Sequence, residues 1–272
     1  MSRRPPERRA GPGGRRGGDG RRRPAASRPS IENHEAESGD VLYGRNAVRE
    51  CLLAGRRRVR QVWATEHALR EPWLAGGPGR PSARLAEPDE LERRCGSSGH
   101  QGVCALVDPY RYADEHALLA AEAPLLVVLD EVQDVQNLGA ICRTAECAGA
   151  TGVVIPERRS AAVTPSACKA SAGAVEHLAV ARVRNVADFL EAAKARGIWC
   201  YGAAAEGAVA WTEPDYSGGV ALVLGAEGTG LRPRVAAVCD QLVFLPLRGR
   251  VDSLNVSAAA AVLVYEIVRG RS

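Results

Sequence analysis

Polar side chains able to do chemistry concentrate at three places in the otherwise apolar second half of the chain. Asn137 and Arg143 lie in DVQNLGAICR (134–143), Glu227 in LVLGAEGTGL (222–231), and Ser253 and Asn255 in LPLRGRVDSLNVSAAAAVLVYE (245–266). Each stretch follows an apolar run that reads as a buried strand. In a parallel sheet, the loops at the carboxyl ends of the strands form the crevice where ligands bind. Singly, each residue has a structural explanation. Asn137 could be a helix cap, Glu227 a turn residue between glycines, and Ser253 and Asn255 caps of the last helix. Arg143 could be solvated surface paired with Glu146 three residues on. The third stretch sets a tight polar hinge, with Gly249 and Asp252, between two elements that both look buried. Either the hinge is only a turn, or its backbone and side chains hold something.

The spacing argues against the common nucleotide and metal chemistries. Gly225, Gly228 and Gly230 do not space as G-x-G-x-x-G, and Pro233 breaks the pattern further on. No G-x-x-x-x-G-K-[ST] loop occurs, and Lys169 and Lys194 are the only two lysines that could serve one. The eight cysteines form no C-x-x-C pair and have no accompanying histidine cluster. They read as small core residues of a reducing compartment rather than as zinc ligands, and no metal is expected.

The elements that must position these loops follow from periodicity. PLLVVLDEV is a continuous apolar run, as expected of a strand covered on both faces. NLGAICRTAECAGA is a helix with Leu138, Ile141, Cys142, Ala145 and Ala148 on one face, and Gly149 suits its C-terminal cap. TGVVIP is the next strand, completing a βαβ unit. The alternation continues with strands at 178–183, 198–203, 220–224 and 242–245 and helices at 186–195, 231–238 and 254–268. The class is α/β with a mainly parallel sheet. Upstream, a helix at 45–54, a strand at 59–64, and a strand–helix–strand run ending at 103–107 make a smaller α/β unit over about 40–108. Residues 109–122 are a linker with a short helix. Arg56, Arg57, Arg58 and Arg60 are either a solvated turn or a phosphate-facing edge.

The 272 residues suffice for two modest domains with a real core. No apolar stretch is long enough for a membrane helix and the N-terminus has no apolar segment, so a cytoplasmic protein with no membrane partner is expected. Charge is uneven. The first 30 residues carry ten arginines against Glu7 and Asp19, a net +8, whereas the whole chain is +4. Residues 1–39, rich in Arg, Gly and Pro, cannot bury enough apolar surface to offset their ordering entropy and are expected to be a disordered tail. Such a tail either binds phosphates non-specifically or only solubilises.

Together, the three polar stretches closely resemble, in order, the signature motifs of the SpoU (TrmH) family of RNA ribose 2′-O-methyltransferases, of the SPOUT superfamily. KASAGAVEHLAV (169–180) is similar to that family's intervening segment, and the resemblance covers about 123–270. The unit beginning YGRNAVRECL resembles the small RNA-binding domain that precedes the catalytic domain in members acting on large-subunit ribosomal RNA.

The resemblance implies a trefoil-knotted, mainly parallel sheet over 123–270 that forms a homodimer, with 40–108 as a smaller RNA-binding domain. It implies S-adenosylmethionine as cofactor, held mainly by backbone groups at Gly225, Leu245 and Leu254, with Gly249 nearby. It assigns the central catalytic role to Arg143, either as general base or, in a milder role, as the group that binds the target phosphate and orients the hydroxyl. A guanidinium pKa above about 12 makes the first role demanding. Asn137 would position Arg143 or the ribose, and Glu227, Ser253 and Asn255 would complete the pocket. The expected reaction is 2′-O-methylation of large-subunit (23S) ribosomal RNA, guanosine favoured. The alternatives are a tRNA 2′-O-methyltransferase or a non-catalytic RNA-binding protein of the same fold.

Overall fold

A run of six apolar-to-acidic residues, LLVVLD, sets the architecture. It forms strand β5 (Leu125–Asp130), buried along its whole length. Its alternate side chains divide between two cores: Leu125, Val127 and Leu129 enter one, Leu126 and Val128 the other. This is the two-faced burial that a continuous apolar run requires.

In a computed structural model of the chain, residues 39–75, 81–204, 209–251 and 253–271 are described. The tail expected over 1–39 lies outside them except for Gly39. Upstream of β5, β1 (Asp40–Tyr43), α1 (Arg45–Ala54), β2 (Val59–Ala64), β3 (Ala83–Leu85), α2 (Pro88–Cys95) and β4 (Val103–Val107) build a four-stranded sheet in the order β1-β4-β2-β3. Helix α3 (Glu115–Leu119) lies in the connector. After β5 come α4 (Val135–Cys147), β6 (Gly152–Pro156), α5 (Pro165–Ala170), β7 (Val180–Val183), α6 (Val186–Lys194), β8 (Trp199–Ala203), β9 (Val209–Ala210), β10 (Val220–Gly225), α7 (Pro233–Val238), β11 (Gln241–Phe244) and α8 (Val256–Gly270). The seven strands β5 to β11 form one sheet in the order β7-β6-β5-β10-β8-β11-β9, and every pairing in it is parallel. No helix among the described residues is long and apolar enough to cross a membrane.

Two features of this sheet position the site. From β5 the chain steps outward to β6 and β7, whereas β10 and β8 lie on the other side of β5. The order therefore reverses between β5 and β10, the switch point where a crevice opens at the carboxyl ends. Helix α8 then returns from β11 to pack on α4 and on β10. That return across the middle of the sheet is the arrangement a knotted fold requires.

The small domain shares the core that lies on the α4–α8 face of the large sheet. Leu42, Val48, Cys51, Val62 and Val107 pack in the same cluster as Leu138, Ile141 and Leu222. Gly173 makes the docking possible: its φ is +89°, and a β-carbon there would lie 2.8 Å from Glu50 Cγ and 3.0 Å from the Asn46 carbonyl. The arginine cluster is not one surface. Arg57 is buried, and its Nε donates to Glu176 Oε2 at 3.1 Å. Arg56 donates to the Leu178 carbonyl at 3.2 Å, and Arg60 pairs with Asp108 at 2.8 Å. Half of the cluster thus fastens the small domain to the segment 176–178. The buried Arg57 does not fit a solvated turn, whereas Arg56 and Arg58 remain exposed.

Candidate functional site

The three polar stretches converge. Asn137, in the first turn of α4, donates from Nδ2 to Glu227 Oε1 at 2.9 Å. Asn255 donates to the same Glu227 oxygen at 2.8 Å and to Asn137 Oδ1 at 3.0 Å. The result is a closed triangle joining the loops after β5, β10 and β11. Asn137 is buried, while Glu227 and Asn255 are exposed. Glu227 Oε2 has no hydrogen-bond partner among the described residues, so one carboxylate oxygen remains available to a ligand.

Local sequence explains each placement. The cap of α4 is Asp134, whose Oδ1 accepts from Gln136 N at 2.8 Å, so Asn137 is not the cap and its amide is free for the triangle. Asn255 does both jobs open to it. Its Oδ1 caps α8 by accepting from Ser257 N at 2.8 Å, while its amide nitrogen serves Glu227 and Asn137. Glu227 projects from a loop closed on itself, where Ala226 N donates to Gly230 O at 3.1 Å and Gly230 N returns to Ala226 O at 2.9 Å. Gly225 permits that closure, because a β-carbon there would overlap the Gly230 and Leu231 backbone.

Two expected members stand apart from the triangle. Arg143 is exposed on α4 and makes no hydrogen bond or ion pair among the described residues, Glu146 included. Six residues on from Asn137, it lies about 9 Å along the helix axis and about 120° around it. Ser253 is exposed in the hinge without a hydrogen bond among the described residues, and the cap is Asn255 and not Ser253. Of the residues expected to hold a cofactor, Gly225 ends β10 and is half-buried, as is Leu245, and Leu254 is 48% exposed. Gly249 lies in open space, its nearest neighbour beyond the adjacent residues being Val251 N at 4.0 Å. The hinge also exposes Leu247 and Val251. An open loop of bare backbone and aliphatic side chains suits the flat, apolar faces and polar edges of an adenine base. A free carboxylate nearby suits a cationic sulfonium. The residues present therefore fit the expected S-adenosylmethionine.

The sequence reading passed over the anchor of the 226–231 loop. Asp130 ends β5 fully buried and accepts from Arg232 N at 2.9 Å and from Arg232 Nε at 2.8 Å. This fixes the loop's far end to the strand beside it and holds the Arg232 guanidinium pKa above its ordinary value through the bond to Asp130. The next residue, Glu131, has φ +65° and lies 3.4 Å from Arg232 Nη1. Such left-handed backbone on a non-glycine residue costs about 1–3 kcal/mol and clusters at functional loops. The signal was in plain view: a carboxylate closing an otherwise wholly apolar strand must find a partner.

Comparison with known proteins agrees with this geometry. The family described as SpoU rRNA methylase matches residues 124–265, and the domain described as RNA 2′-O ribose methyltransferase substrate binding matches 41–113. The chain is 38% identical over 251 residues to YacO of Bacillus subtilis (strain 168), named as a TrmH family tRNA/rRNA methyltransferase, with 87% of this chain and 98% of that one covered. Its structure resembles that of an AdoMet-bound rRNA methyltransferase from Sinorhizobium meliloti, with a TM-score of 0.73, 26% identity, and 85% and 87% of the two chains covered. A shorter likeness, TM-score 0.50 at 25% identity, is to the A. aeolicus TrmH/SpoU tRNA modifying enzyme and covers 58% of this chain and 79% of that one. With both of its domains matched and its three motif loops joined by one hydrogen-bonded triangle, the chain belongs to the SpoU (TrmH) family of RNA ribose 2′-O-methyltransferases.

Proposed function

We propose that this protein methylates a ribose 2′-oxygen of large-subunit (23S) ribosomal RNA in the cytoplasm, with guanosine the favoured nucleoside and S-adenosylmethionine the methyl donor. The observation that carries the reading is the Asn137–Glu227–Asn255 triangle at the sheet's switch point, with one carboxylate oxygen unbonded among the described residues. The likeness to the ribosomal RNA enzyme supports the substrate. It extends over 85% of the chain, whereas the likeness to the tRNA-modifying enzyme, at 58%, is too short to include both domains. Residues 40–108 are then the RNA-binding domain, 109–122 the linker and 123–270 the knotted methyltransferase domain.

S-adenosylmethionine, when bound, supplies a methyl group on a sulfonium centre. Backbone groups at Gly225, Leu245, Gly249 and Leu254 would hold its adenosyl part. Glu227, oriented by the two asparagine amides, would offer a carboxylate to its positive charge, and Ser253 and Asn255 would close the polar wall. Arg143 binds the target phosphate and orients the 2′-hydroxyl for in-line attack, so its work is chiefly alignment. In a single chain Arg143 is separated from the triangle. The protein also exposes apolar side chains on α8 and the hinge: Val262, Tyr265, Leu247, Val251 and Leu254. A homodimer that covers this surface is the arrangement in which a second Arg143 can serve the site.

Arg143→Ala tests the assignment. Methyl transfer is expected to fall by about 100-fold or more, the scale of lost alignment, while S-adenosylmethionine binding, followed by calorimetry, stays at the wild-type level. Full activity in this variant would remove Arg143 from the mechanism.

A further inference from the structure

Away from the triangle, the small domain carries a cleft of about 570 Å³ whose lining includes Arg45, Asn46, His67, His100 and Gln101. That size falls within the roughly 300–1,000 Å³ typical of ligand sites. We propose that this cleft holds one unpaired nucleotide of the RNA substrate, which rests on the RNA methyltransferase reading and gives its substrate domain a specific contact point.

Three observations point to a nucleotide. The first is His100, only 9% exposed. Its Nδ1 accepts the Gly102 N–H at 3.0 Å, so the neutral ring carries its proton on Nε2, which has no partner among the described residues. A buried imidazole lining a cleft with a free donor is ready to bond the edge of a base. The second is the start of α1. Its cap, Gly44, has no side chain, and Gln101 Oε1 accepts only the first amide, Arg45 N, at 3.0 Å. The amides of Asn46 and Ala47 have no acceptor among the described residues, which leaves donors for a phosphate oxygen. The third is charge. Arg45 is paired with Glu71 at 2.9 Å, but Lys169, which stands beside the cleft and not in its lining, has no acidic partner among the described residues. Its stem runs beside Gly44, and its Nζ lies against Gly99 and 5.2 Å from the centre of the Tyr43 ring.

The geometry favours a single strand. The exposed side chains of Asn46 and His67 make no hydrogen bond among the described residues, and imidazole and amide groups can stack on or bond to a splayed base. Gln101 holds φ +53°, a left-handed conformation kept in place by its two bonds to Arg45. Lys169 belongs to α5, which packs on α4, the helix that carries Asn137 and Arg143. A nucleotide seated here is therefore held at a fixed offset from the candidate catalytic site.

The experiment compares the full-length protein with Asn46→Ala/His67→Ala, two exposed changes that break no hydrogen bond among the described residues, and with Lys169→Met, which keeps the apolar stem. Binding is measured by fluorescence anisotropy with a labelled single-stranded oligoribonucleotide and with the same sequence as a duplex. Methyl transfer is measured on ribosomal RNA and on ribosomal particles. The wild type is expected to prefer the single strand. Each variant should lose about tenfold or more of that affinity, the scale of one stacked or bonded base. The RNA KM should rise while kcat at saturating RNA and S-adenosylmethionine binding stay unchanged. Unaltered single-strand affinity in both variants, with an active wild type, would overturn the cleft assignment and leave the methyltransferase reading standing. Activity lost only on ribosomal particles would assign the cleft to a protein partner and overturn it too. A wild type that neither binds nor methylates RNA would remove the parent reading and this one with it.

Discussion

Asn255 shows how much one side chain can carry. Its carbonyl oxygen caps α8 and its amide nitrogen ties Glu227 to Asn137, so all of its polar capacity is used. The two roles separate by substitution. Asn255→Ala removes both and is expected to cost about 1 kcal/mol of stability from the cap alone. Asn255→Asp keeps an oxygen for the cap but loses the amide donors and sets a second carboxylate beside Glu227. It is expected to unfold closer to the wild-type temperature than Asn255→Ala does, yet to lose methyl transfer as completely. Full transfer by Asn255→Asp would make the triangle a structural brace only. From the sequence, the capping and the site readings of Asn255 looked like rivals, because composition cannot show that one amide faces two ways. The reading of the cysteines as core residues holds for Cys51, Cys104, Cys142, Cys168 and Cys200, which are buried, but not for Cys147, which is exposed. Burial pushes the Cys142 and Cys168 thiols up to about 12, so they stay protonated and behave as small core residues.

Among elements, the joint between the two sheets is the least expected feature. Arg57 and Glu176 form an ion pair buried on both sides, and Arg57 Nη1 also reaches the Asp108 carbonyl at 3.4 Å. Burial alone would lower the Arg57 pKa, but the bond to Glu176 and its charge leave it raised. Removing Arg57 strands the Glu176 carboxylate, and removing Glu176 leaves the buried guanidinium only Asp40, at 3.4 Å, as an acidic partner. Glu176→Leu or Arg57→Met alone is expected to destabilise by about 3–5 kcal/mol, and the double variant should recover much of that loss. Denaturant unfolding of the three variants checks this, and single variants of wild-type stability would show that the pair bears no load. Sequence reading saw four arginines in five positions and could not tell which would be buried, since the segment 176–178 that Arg56 and Arg57 bind lies more than a hundred residues away. It placed the long helices and strands, where several turns or alternations repeat. It passed over β1, β9 and α5, which are too short for a period to show. For α5 a cap was nevertheless available: Thr164 Oγ1 accepts from Ala167 N at 3.3 Å, with Pro165 at the first helical position.

At the scale of the molecule, strand order and chain threading are invisible to local pattern. That β10 inserts beside β5, and that α8 returns onto α4, depend on contacts between distant segments. The family resemblance supplied a knotted, mainly parallel sheet but not its strand order, and the hydrogen bonds between loops 137, 227 and 255 are a physical consequence of that order. The separation of Arg143 from those loops was equally illegible, because it follows from helix phase relative to partners placed by the fold. The most direct test of the whole account is transfer from S-adenosylmethionine labelled in its methyl group to total RNA that lacks this enzyme's modification. The RNA is then separated by size and digested to nucleosides. The account predicts label in large-subunit ribosomal RNA, released as a 2′-O-methylnucleoside. Label on a base, or confined to tRNA, would contradict it.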